Sequence, residues 1–377
     1  MNKWQEIQGI YIHIPFCLQK CAYCDFTSFP KCGQEVMEAY TKRLCQEILT
    51  YKATLPVNAK ATIYMGGGTP SILPINLLTQ IVTALKEGEL WQQPTEATVE
   101  VNPGTVDGEK LVALRELGFD RISMGVQSLQ DEELRAMGRV HTAKEALEAL
   151  RLAKEAGFTR RNADLIYGYP GQTKDTVSAS LRSLLEAEIE HISVYSLSVE
   201  EGTPLAYALK EGRVVLPEED EVGDMYDWLT TNLPAKGYAR YEISNYSKEG
   251  QQSLHNLVYW HYLPYLGFGL GATGFNGRAR YTNPFTIEEY LRGGTPCEEK
   301  LSLAMQQSEA IFMGLRLTRG INMKELGERF QFNWREKYGQ LIKELEDLQL
   351  VELTGKENLR LTTRGMSVGN LVFEKFL

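Results

Sequence analysis

Three cysteines crowded near the N-terminus are the residues of this sequence best suited to chemistry. Cys17, Cys21 and Cys24 form a CxxxCxxC pattern. Thiolates are the usual ligands of iron–sulfur clusters, and three of them in one short loop can bind three corners of a cube. The local sequence offers no fourth thiolate, because Phe26 stands where another nearby cysteine would lie. The pattern therefore predicts a [4Fe–4S] cluster with one open iron, which an exchangeable ligand can bind.

A structural zinc site and free thiols are the alternatives to a cluster. Zinc sites usually reach four ligands by pairing two cysteine knuckles, or one knuckle with histidines. His13 is close in sequence, but it alternates within an apolar segment and is expected to face the barrel or core. The other three cysteines have no spacing that indicates a second cluster, and we expect free thiols at Cys32, Cys45 and Cys297.

Alternating strand and helix patterns from about residue 9 to 200 must position these cysteines. Short apolar segments predict strands at 10–14, 61–65, 97–101, 119–126, 163–167 and 191–197. Amphipathic segments between them predict helices at 34–51, 75–87, 107–117, 142–156 and 175–187. Such repeats imply a parallel sheet, because parallel strands need crossover helices. In these folds the site is built at the strand ends, and the cysteines directly follow the first strand candidate.

The pattern changes after residue 200. Two segments, 201–212 and 217–233, are expected to be helical. A Tyr- and Gly-rich stretch at 238–275 predicts close backbone packing or bulged strands and not helix. Helical patterns return from about residue 303 and end in two short β-like segments, which resembles a winged helix. We therefore divide the chain into a barrel with the cysteines, a barrel extension and a C-terminal module, at 1–200, 201–300 and 301–377.

Composition narrows the class of protein. The 377 residues carry a net charge of −9 and no dense block of Lys and Arg, which argues against nucleic acid as the main partner. No stretch approaches the roughly 18 consecutive apolar residues that a membrane-spanning helix requires. The N-terminus has no long apolar region after a basic start, so we expect a cytoplasmic protein. Crowded cysteines in a reducing compartment indicate metal or redox chemistry more often than disulfides.

The cysteine pattern and the blocks around it resemble a known superfamily. CxxxCxxC after a first barrel strand, with an aromatic residue just before the last cysteine, is typical of the radical S-adenosylmethionine (SAM) superfamily. The blocks GIYIHIPFCLQKCAYCDF, GGGTPS, EVNPGT, RISMGVQS, LIYGYPGQT and HNLVYW resemble, in this order, the coproporphyrinogen III dehydrogenase-like branch, most closely its HemW-type heme chaperones. The resemblance covers nearly the whole chain. It implies an α/β fold, a partial (β/α)6 radical SAM barrel with a C-terminal winged-helix-like α+β module, and a [4Fe–4S] cluster, SAM and heme as cofactors.

The resemblance assigns SAM contacts to residues near the ends of several strands. The glycines of GGGTPS let the backbone approach a ligand closely, and Glu100 is placed to accept hydrogen bonds from ribose hydroxyls. Arg139 is suited to a carboxylate, which arginine binds bidentately. Each assignment has a structural alternative. The glycines could form a plain turn, Glu100 could be a solvated strand-end charge, Arg139 could lie on the surface, and the two tyrosines could pack in the core. The implied SAM residues are Tyr11, Tyr23, Gly67, Gly68, Thr69, Glu100, Gln127, Arg139 and Asp164.

Two functions from different classes stay open. In the first, the protein binds heme and hands it to an unidentified acceptor protein. In the second, it is an oxygen-independent coproporphyrinogen III dehydrogenase that oxidatively decarboxylates propionates in porphyrin biosynthesis. Both need an electron donor, and the resemblance implies reductive cleavage of SAM to a radical without assigning a catalytic residue. A radical SAM enzyme acting on an unrelated small substrate is the weaker third alternative.

Three features favour the heme chaperone. Phe26 replaces the last cysteine of the CxxxCxxCxC motif of true dehydrogenases, and the segment before Cys17 is shorter than theirs. The HNLVYW block resembles the HNxxYW motif of the chaperone branch. It implies heme contacts at His255, Tyr259 and Trp260, since histidine is a natural axial ligand of heme iron. His261 is a rival ligand, and Thr273 stands where relatives carry a histidine, so the ligand set stays open.

Overall fold

The computed structural model describes residues 3–52 and 54–377, and its strands and helices alternate through most of the chain. The strands are β1 (Ile7–Ile14), β2 (Phe16–Cys17), β3 (Phe29–Pro30), β4 (Val57–Gly67), β5 (Ala97–Val101), β6 (Arg121–Gln127), β7 (Arg160–Tyr167), β8 (His191–Ser196), β9 (Ala239–Arg240), β10 (Asn245–Ser247), β11 (Tyr265–Phe268), β12 (Thr273–Phe275), β13 (Ala279–Thr282), β14 (Cys297–Lys300), β15 (Ile321–Asn322), β16 (Val351–Thr354) and β17 (Asn358–Leu361). The helices are α1 (Gln34–Thr50), α2 (Ile75–Glu87), α3 (Gly108–Leu117), α4 (Asp131–Ala136), α5 (Ala143–Glu155), α6 (Lys174–Glu186), α7 (Pro204–Lys210), α8 (Glu219–Ala235), α9 (Leu254–Trp260), α10 (Ile287–Leu291), α11 (Leu303–Leu315), α12 (Met323–Phe330), α13 (Trp334–Asp347), α14 (Thr363–Ser367) and α15 (Gly369–Phe373).

A twelve-stranded sheet forms the barrel and its extension, in the order β14-β13-β12-β11-β1-β4-β5-β6-β7-β8-β10-β9. The seven strands from β11 to β8 are parallel, and the strands at both edges are antiparallel. All six predicted strands are present as β1 and β4 to β8, and at least one helix separates each of them from the next strand of this sheet along the chain. Their outer face is apolar and buried under the helices, as at Ile10, Ile12 and Ile63. The prediction of an α/β barrel is confirmed.

Helix α9 corrects the prediction for the Tyr- and Gly-rich stretch. We expected no helix there, but α9 begins after Ser253 in the middle of it. Its first amides find acceptors that the local sequence does not reveal. The buried carboxylate of Glu96 accepts from the backbone N–H groups of Leu254 (2.9 Å) and His255 (3.0 Å). Satisfied N–H groups stabilise a helix start, and here the acceptor comes from the beginning of β5, far away in the sequence.

The C-terminal module has the element order of a winged helix. Helices α11, α12 and α13 pack on the small antiparallel sheet β15-β17-β16 around a separate apolar cluster that includes Ile311, Ile342 and Leu359. The winged-helix-like prediction is confirmed. The short helices α14 and α15 follow the last strand and were not predicted, because five residues carry too little periodicity to indicate a helix. None of the helices in the described residues has the length and apolar character needed to cross a membrane.

Replacing Glu96 by glutamine tests how strongly this carboxylate holds α9 in place. Its side chain is 0% exposed, and it also pairs with Arg160 at 2.7 Å. Removing the charge of this buried, hydrogen-bonded carboxylate leaves Arg160 with only the more distant Asp120 carboxylate at 3.5 Å, so we expect Glu96→Gln to lower the free energy of unfolding by about 3 kcal/mol. Urea denaturation measures this. The matched control is Glu148→Gln, which breaks an exposed pair with Arg151 and should leave the urea midpoint almost unchanged. Equal losses in both variants would contradict the anchoring role.

Candidate cluster and SAM site

A cavity of about 400 Å³ opens at the carboxyl ends of the parallel strands. Parallel barrels collect side chains from several strands at this end, since every strand points the same way. The cavity is roomy enough for a small cofactor. The predicted site residues that line it are Cys17, Cys21, Tyr23, Cys24, Gly67, Gly68, Thr69, Glu100, Gln127, Arg139 and Asp164.

The three cysteines lie half-buried on one wall of this cavity. Cys17 ends β2, and its Sγ accepts a hydrogen bond from the Thr69 hydroxyl at 3.7 Å. The Sγ of Cys21 accepts from the Arg139 guanidinium at 3.3 Å. Burial raises the pKa of the Cys17 and Cys24 thiols, because it disfavours the bare thiolate. Bound iron would supply the positive charge that thiolates need in such surroundings.

The arrangement of the thiols fits a cluster better than zinc. Within the part of the chain that the structure describes, no group of three or more His, Cys, Asp or Glu side chains converges as the ligands of one metal ion. A structural zinc requires such convergence. The cysteines of a [4Fe–4S] cluster each bind a different iron, so they must surround a volume rather than a point. Among the described residues, the cavity lining offers these three thiols and no histidine or fourth cysteine as a further ligand for zinc.

The glycine-rich turn after β4 fits tightly against the cysteine loop. Gly67 has φ of +113°, a conformation that side chains disfavour. At Gly68 a Cβ atom would lie 2.6 Å from the Phe16 carbonyl oxygen and 3.0 Å from the Cys17 Sγ. The Thr69 amide donates to the same Phe16 oxygen at 2.7 Å. The turn therefore holds the cysteine loop by its backbone and leaves no room for a side chain between them.

Glu100 is held by two donors at the floor of the cavity. The Tyr64 hydroxyl donates to its Oε1 at 2.6 Å, and the Gly67 amide donates to its Oε2 at 3.0 Å. Each carboxylate oxygen keeps a lone pair for a further donor, such as a ribose hydroxyl. Burial, reinforced by the nearby Asp164 carboxylate, raises the pKa of Glu100 to about 7, although Tyr64 and Gly67 oppose the shift. The group is therefore able to change its charge near neutral pH.

The remaining polar wall comes from β6, β7 and the segment after α4. Gln127 ends β6 with φ of +70°, where the register against β7 shifts. Such bulges near sites re-aim a side chain. Arg139 donates to the Gly125 carbonyl at 2.6 Å, and its Nε is buried with no partner among the described residues. An unmet arginine donor beside the cavity fits a carboxylate ligand. Asp164 accepts from Asn162 at 2.7 Å, and burial raises its pKa.

The two predicted tyrosines lie at different depths. Tyr23 lines the cavity next to the cysteines. Tyr11 does not line it, and its hydroxyl instead makes a hydrogen bond with the His13 Nδ1 at 2.9 Å. His13 faces the barrel interior as predicted, since its ring lies against Gly67 and its Nε2 binds the Thr27 carbonyl at 2.9 Å. Tyr11 is thus placed behind the wall of the cavity and not on it.

The three predicted heme residues of the HNLVYW segment do not line the cavity. His255 is 1% exposed, and its Nδ1 and Nε2 are both occupied, by Thr62 and Tyr259 at 2.8 Å each. Trp260 packs under the Arg316 guanidinium, 4.6 Å from its ring centroid. Neither ring nitrogen of His255 is open to an iron in this conformation. His255 therefore offers no free ring nitrogen for the predicted contact with heme iron.

Sequence reasoning missed a polar inner face shared by neighbouring strands. Asn162 on β7 donates to Ser123 at 2.7 Å and binds the His191 Nδ1 at 2.6 Å. Tyr195 on β8 also lines the cavity and is 40% exposed. The signal was available, because polar residues alternate with apolar ones along these strands although both faces are covered. That alternation marks the side of the sheet that builds a site.

Comparisons with known proteins agree with this geometry. The sequence profile of the radical SAM superfamily matches residues 11–184, and that of the HemN C-terminal domain matches residues 301–368. The heme chaperone HemW of Lactococcus lactis subsp. lactis is 35% identical over 377 residues, covering 99% of this chain and 98% of that protein. The heme chaperone HemW of Bacillus subtilis is 35% identical as well, covering 98% of this chain and 99% of that protein.

A solved structure supports the fold. It is described as coproporphyrinogen III oxidase (HemN) from Escherichia coli, a radical SAM enzyme. It superposes with a TM-score of 0.85 and covers 100% of this chain and 91% of that one, at 22% identity. Identity this low shows the fold alone, whereas the two HemW relatives match at 35% over almost their entire length. The resemblance stated from the sequence is confirmed: the chain belongs to the HemW heme chaperone family of the radical SAM superfamily.

Proposed function

We propose that this protein is a heme chaperone, which binds heme and transfers it to an acceptor protein. The observation that carries the proposal is the similarity to HemW proteins along the whole chain, at 35% identity. Phe26 adds to it. This ring lines the cavity beside the cysteines and is 67% exposed, where the dehydrogenases carry a further thiol. An exposed aromatic ring suits a flat, apolar macrocycle. The acceptor and the electron donor of the cluster are proposed as protein partners in the cytoplasm.

We propose for the cavity residues the roles that the resemblance implies. Cys17, Cys21 and Cys24 would hold the [4Fe–4S] cluster, and the glycine-rich turn, Glu100 and Arg139 would orient SAM beside it. When bound, these cofactors supply one-electron and radical chemistry. The chain itself binds and orients them, covers them from water with the barrel, and offers Glu100 as a group able to hold a proton near neutral pH.

The position of heme is proposed separately from that of SAM. His255, Tyr259 and Trp260 stay a prediction, which requires α9 to leave the barrel interior before His255 can reach iron. We also propose the division into a barrel, an extension and a C-terminal module at 1–200, 201–300 and 301–377. The extension and the barrel share one continuous sheet, so they would unfold together.

One anaerobic assay separates the chaperone from the dehydrogenase. Reconstituted protein is incubated with SAM, a strong reductant and coproporphyrinogen III, and porphyrin products and 5′-deoxyadenosine are quantified together. The chaperone predicts an intact cluster, SAM binding or cleavage, and no decarboxylation over many turnovers. Heme titration and transfer to an apo-protein acceptor would follow. Accumulation of protoporphyrinogen would overturn the proposal and make the protein a dehydrogenase despite Phe26.

The affinity for SAM should depend on pH through Glu100. Its pKa of about 7 lies above the usual value, so the carboxylate gains a proton as the pH falls through 7. A protonated carboxyl loses one acceptor for the ribose hydroxyls, and we expect SAM binding to weaken about tenfold per pH unit below this pKa. Isothermal titration from about pH 5.5 to 8.5 measures the profile. Glu100→Gln should bind more weakly but give a flat profile between about pH 6 and 8. An unchanged profile in that variant would exclude Glu100 as the titrating group.

A further inference from the structure

His255 packs against Tyr64 and thereby links the HNLVYW segment to the SAM cavity. The imidazole of His255 stacks on the Tyr64 ring with centroids 5.0 Å apart and an interplanar angle of 27°. The hydroxyl of the same tyrosine donates to Glu100 at 2.6 Å. Two contacts therefore join a buried histidine to the carboxylate at the floor of the cavity.

His255 cannot move within this arrangement without losing hydrogen bonds. Thr62 and Tyr259 each bind one of its ring nitrogens at 2.8 Å. On the remaining side, a Cβ atom at Gly9 would lie 3.2 Å from the imidazole, so the backbone of β1 closes the space. A side chain held from three directions presents a rigid surface to the ring that stacks on it.

The electrostatics agree with a supporting role. Burial and the nearby Arg121 lower the pKa of His255 to about 3, so the imidazole is neutral at physiological pH. A neutral ring stacks on tyrosine without placing a charge beneath Glu100. The groups that face Glu100 are the Asp164 carboxylate, the Arg121 guanidinium, the Gly67 amide and the hydroxyls of Tyr11, Tyr64 and Tyr259.

We propose that His255 is a positioning residue for SAM, which fixes Tyr64 so that its hydroxyl keeps Glu100 directed into the cavity. This inference rests on the proposed SAM site. Helix α9 then has a structural role inside the barrel. Glu96 binds the amides at its start, and His255 packs against the Tyr64 ring, whose hydroxyl binds Glu100. The histidine acts through Tyr64 and does not touch the ligand.

The test compares pH profiles of SAM binding in variants loaded with the cluster. Tyr64→Phe keeps the ring and removes the donor to ionised Glu100, which should move the profile up by about one pH unit and weaken binding about fivefold at pH 7. His255→Ala should move it in the same direction by about half a unit, because the tyrosine loses its support. His255→Phe keeps a flat ring in place, so its profile should return most of the way to that of the unaltered protein.

A double variant separates positioning from general destabilisation. If His255 acts through Tyr64, adding His255→Ala to Tyr64→Phe should shift the profile no further. Leu257→Ala is the matched control, since Leu257 lies on the same helix and is only partly buried. It should leave the profile unchanged. Iron content and thermal midpoint show which variants are folded. If the histidine variants unfold, Thr62→Val carries the test, because it removes the hydrogen bond to the His255 Nδ1 and should give a smaller shift in the same direction.

Three outcomes would overturn the inference. They are an unchanged profile in folded His255→Ala, additive shifts in the double variant, and loss of heme binding in His255→Ala with normal SAM binding. The last would identify His255 as a heme contact. Failure of the proposed SAM site looks different, because the unaltered, cluster-loaded protein would then show no saturable SAM binding at any pH.

Discussion

Cys21→Ala should abolish the iron–sulfur cluster. With two thiolates left on the cavity wall, a cluster already lacking a fourth protein ligand cannot be retained. After anaerobic reconstitution we expect iron and acid-labile sulfide to fall from about four of each per chain to near zero, with loss of the brown absorbance. SAM binding should fall with it, since the open iron is part of its site. The Arg139 guanidinium, now 3.3 Å from the Cys21 Sγ, would face an empty space.

Cys297→Ala is the control for this loss. Cys297 is exposed on the edge strand β14, far along the chain from the cysteine loop. We expect its variant to keep full iron and sulfide content. A normal cluster in Cys21→Ala would show that another residue supplies the ligand. Equal loss in both variants would mean that reconstitution reports on thiols in general and not on this site.

Gly68→Ala should lose both SAM binding and a part of the cluster while the barrel stays folded. The added methyl would meet the Phe16 carbonyl oxygen at 2.6 Å, which belongs to backbone and cannot turn aside. Overpacking of this kind costs about 1–3 kcal/mol. If the turn shifts to relieve it, the SAM backbone contacts are displaced, and we expect affinity to fall roughly 10- to 100-fold. Equilibrium SAM binding and iron content measure the two effects.

Gly33→Ala is the matched control, because this glycine lies between the cysteine loop and α1. No atom lies within 4 Å of a Cβ placed there. Its variant should keep the SAM affinity and iron content of the original protein. If Gly68→Ala behaves the same way, the turn does not hold the ligand by close backbone approach, and the glycine run is an ordinary connection.

The alternating strands and helices of the barrel and the cysteine loop could be predicted from the sequence. The strands β1 and β4 to β8 were found because apolar segments alternate with amphipathic ones. The cysteine loop was found from spacing alone. Glu100, near the end of its strand, could be placed near the cysteines because parallel strands end on one side of the sheet, whereas Asp164 was assigned only through the resemblance to the family.

The contacts between distant segments could not be predicted in this way. Helix α9 starts where Glu96 supplies its acceptors, and no local pattern announces a carboxylate from another strand. The stack of His255 on Tyr64 joins positions far apart in the sequence. From the motif alone, an exposed heme ligand was as natural an interpretation of His255 as a buried support. The left-handed backbone at Gln127 likewise depends on how β6 and β7 are aligned.

The central position of β1 in the sheet has a consequence for how the chain folds. Its neighbours are β4, which follows soon after it, and β11, where Gly9 pairs with Tyr265. Pairings across so long a stretch of chain form slowly, because loop closure must be completed before the contact is gained. During synthesis, the strand that leads into the cysteine loop keeps one open edge until most of the chain has emerged. The cysteine loop therefore gains its second supporting neighbour only after the chain has been synthesised past Tyr265.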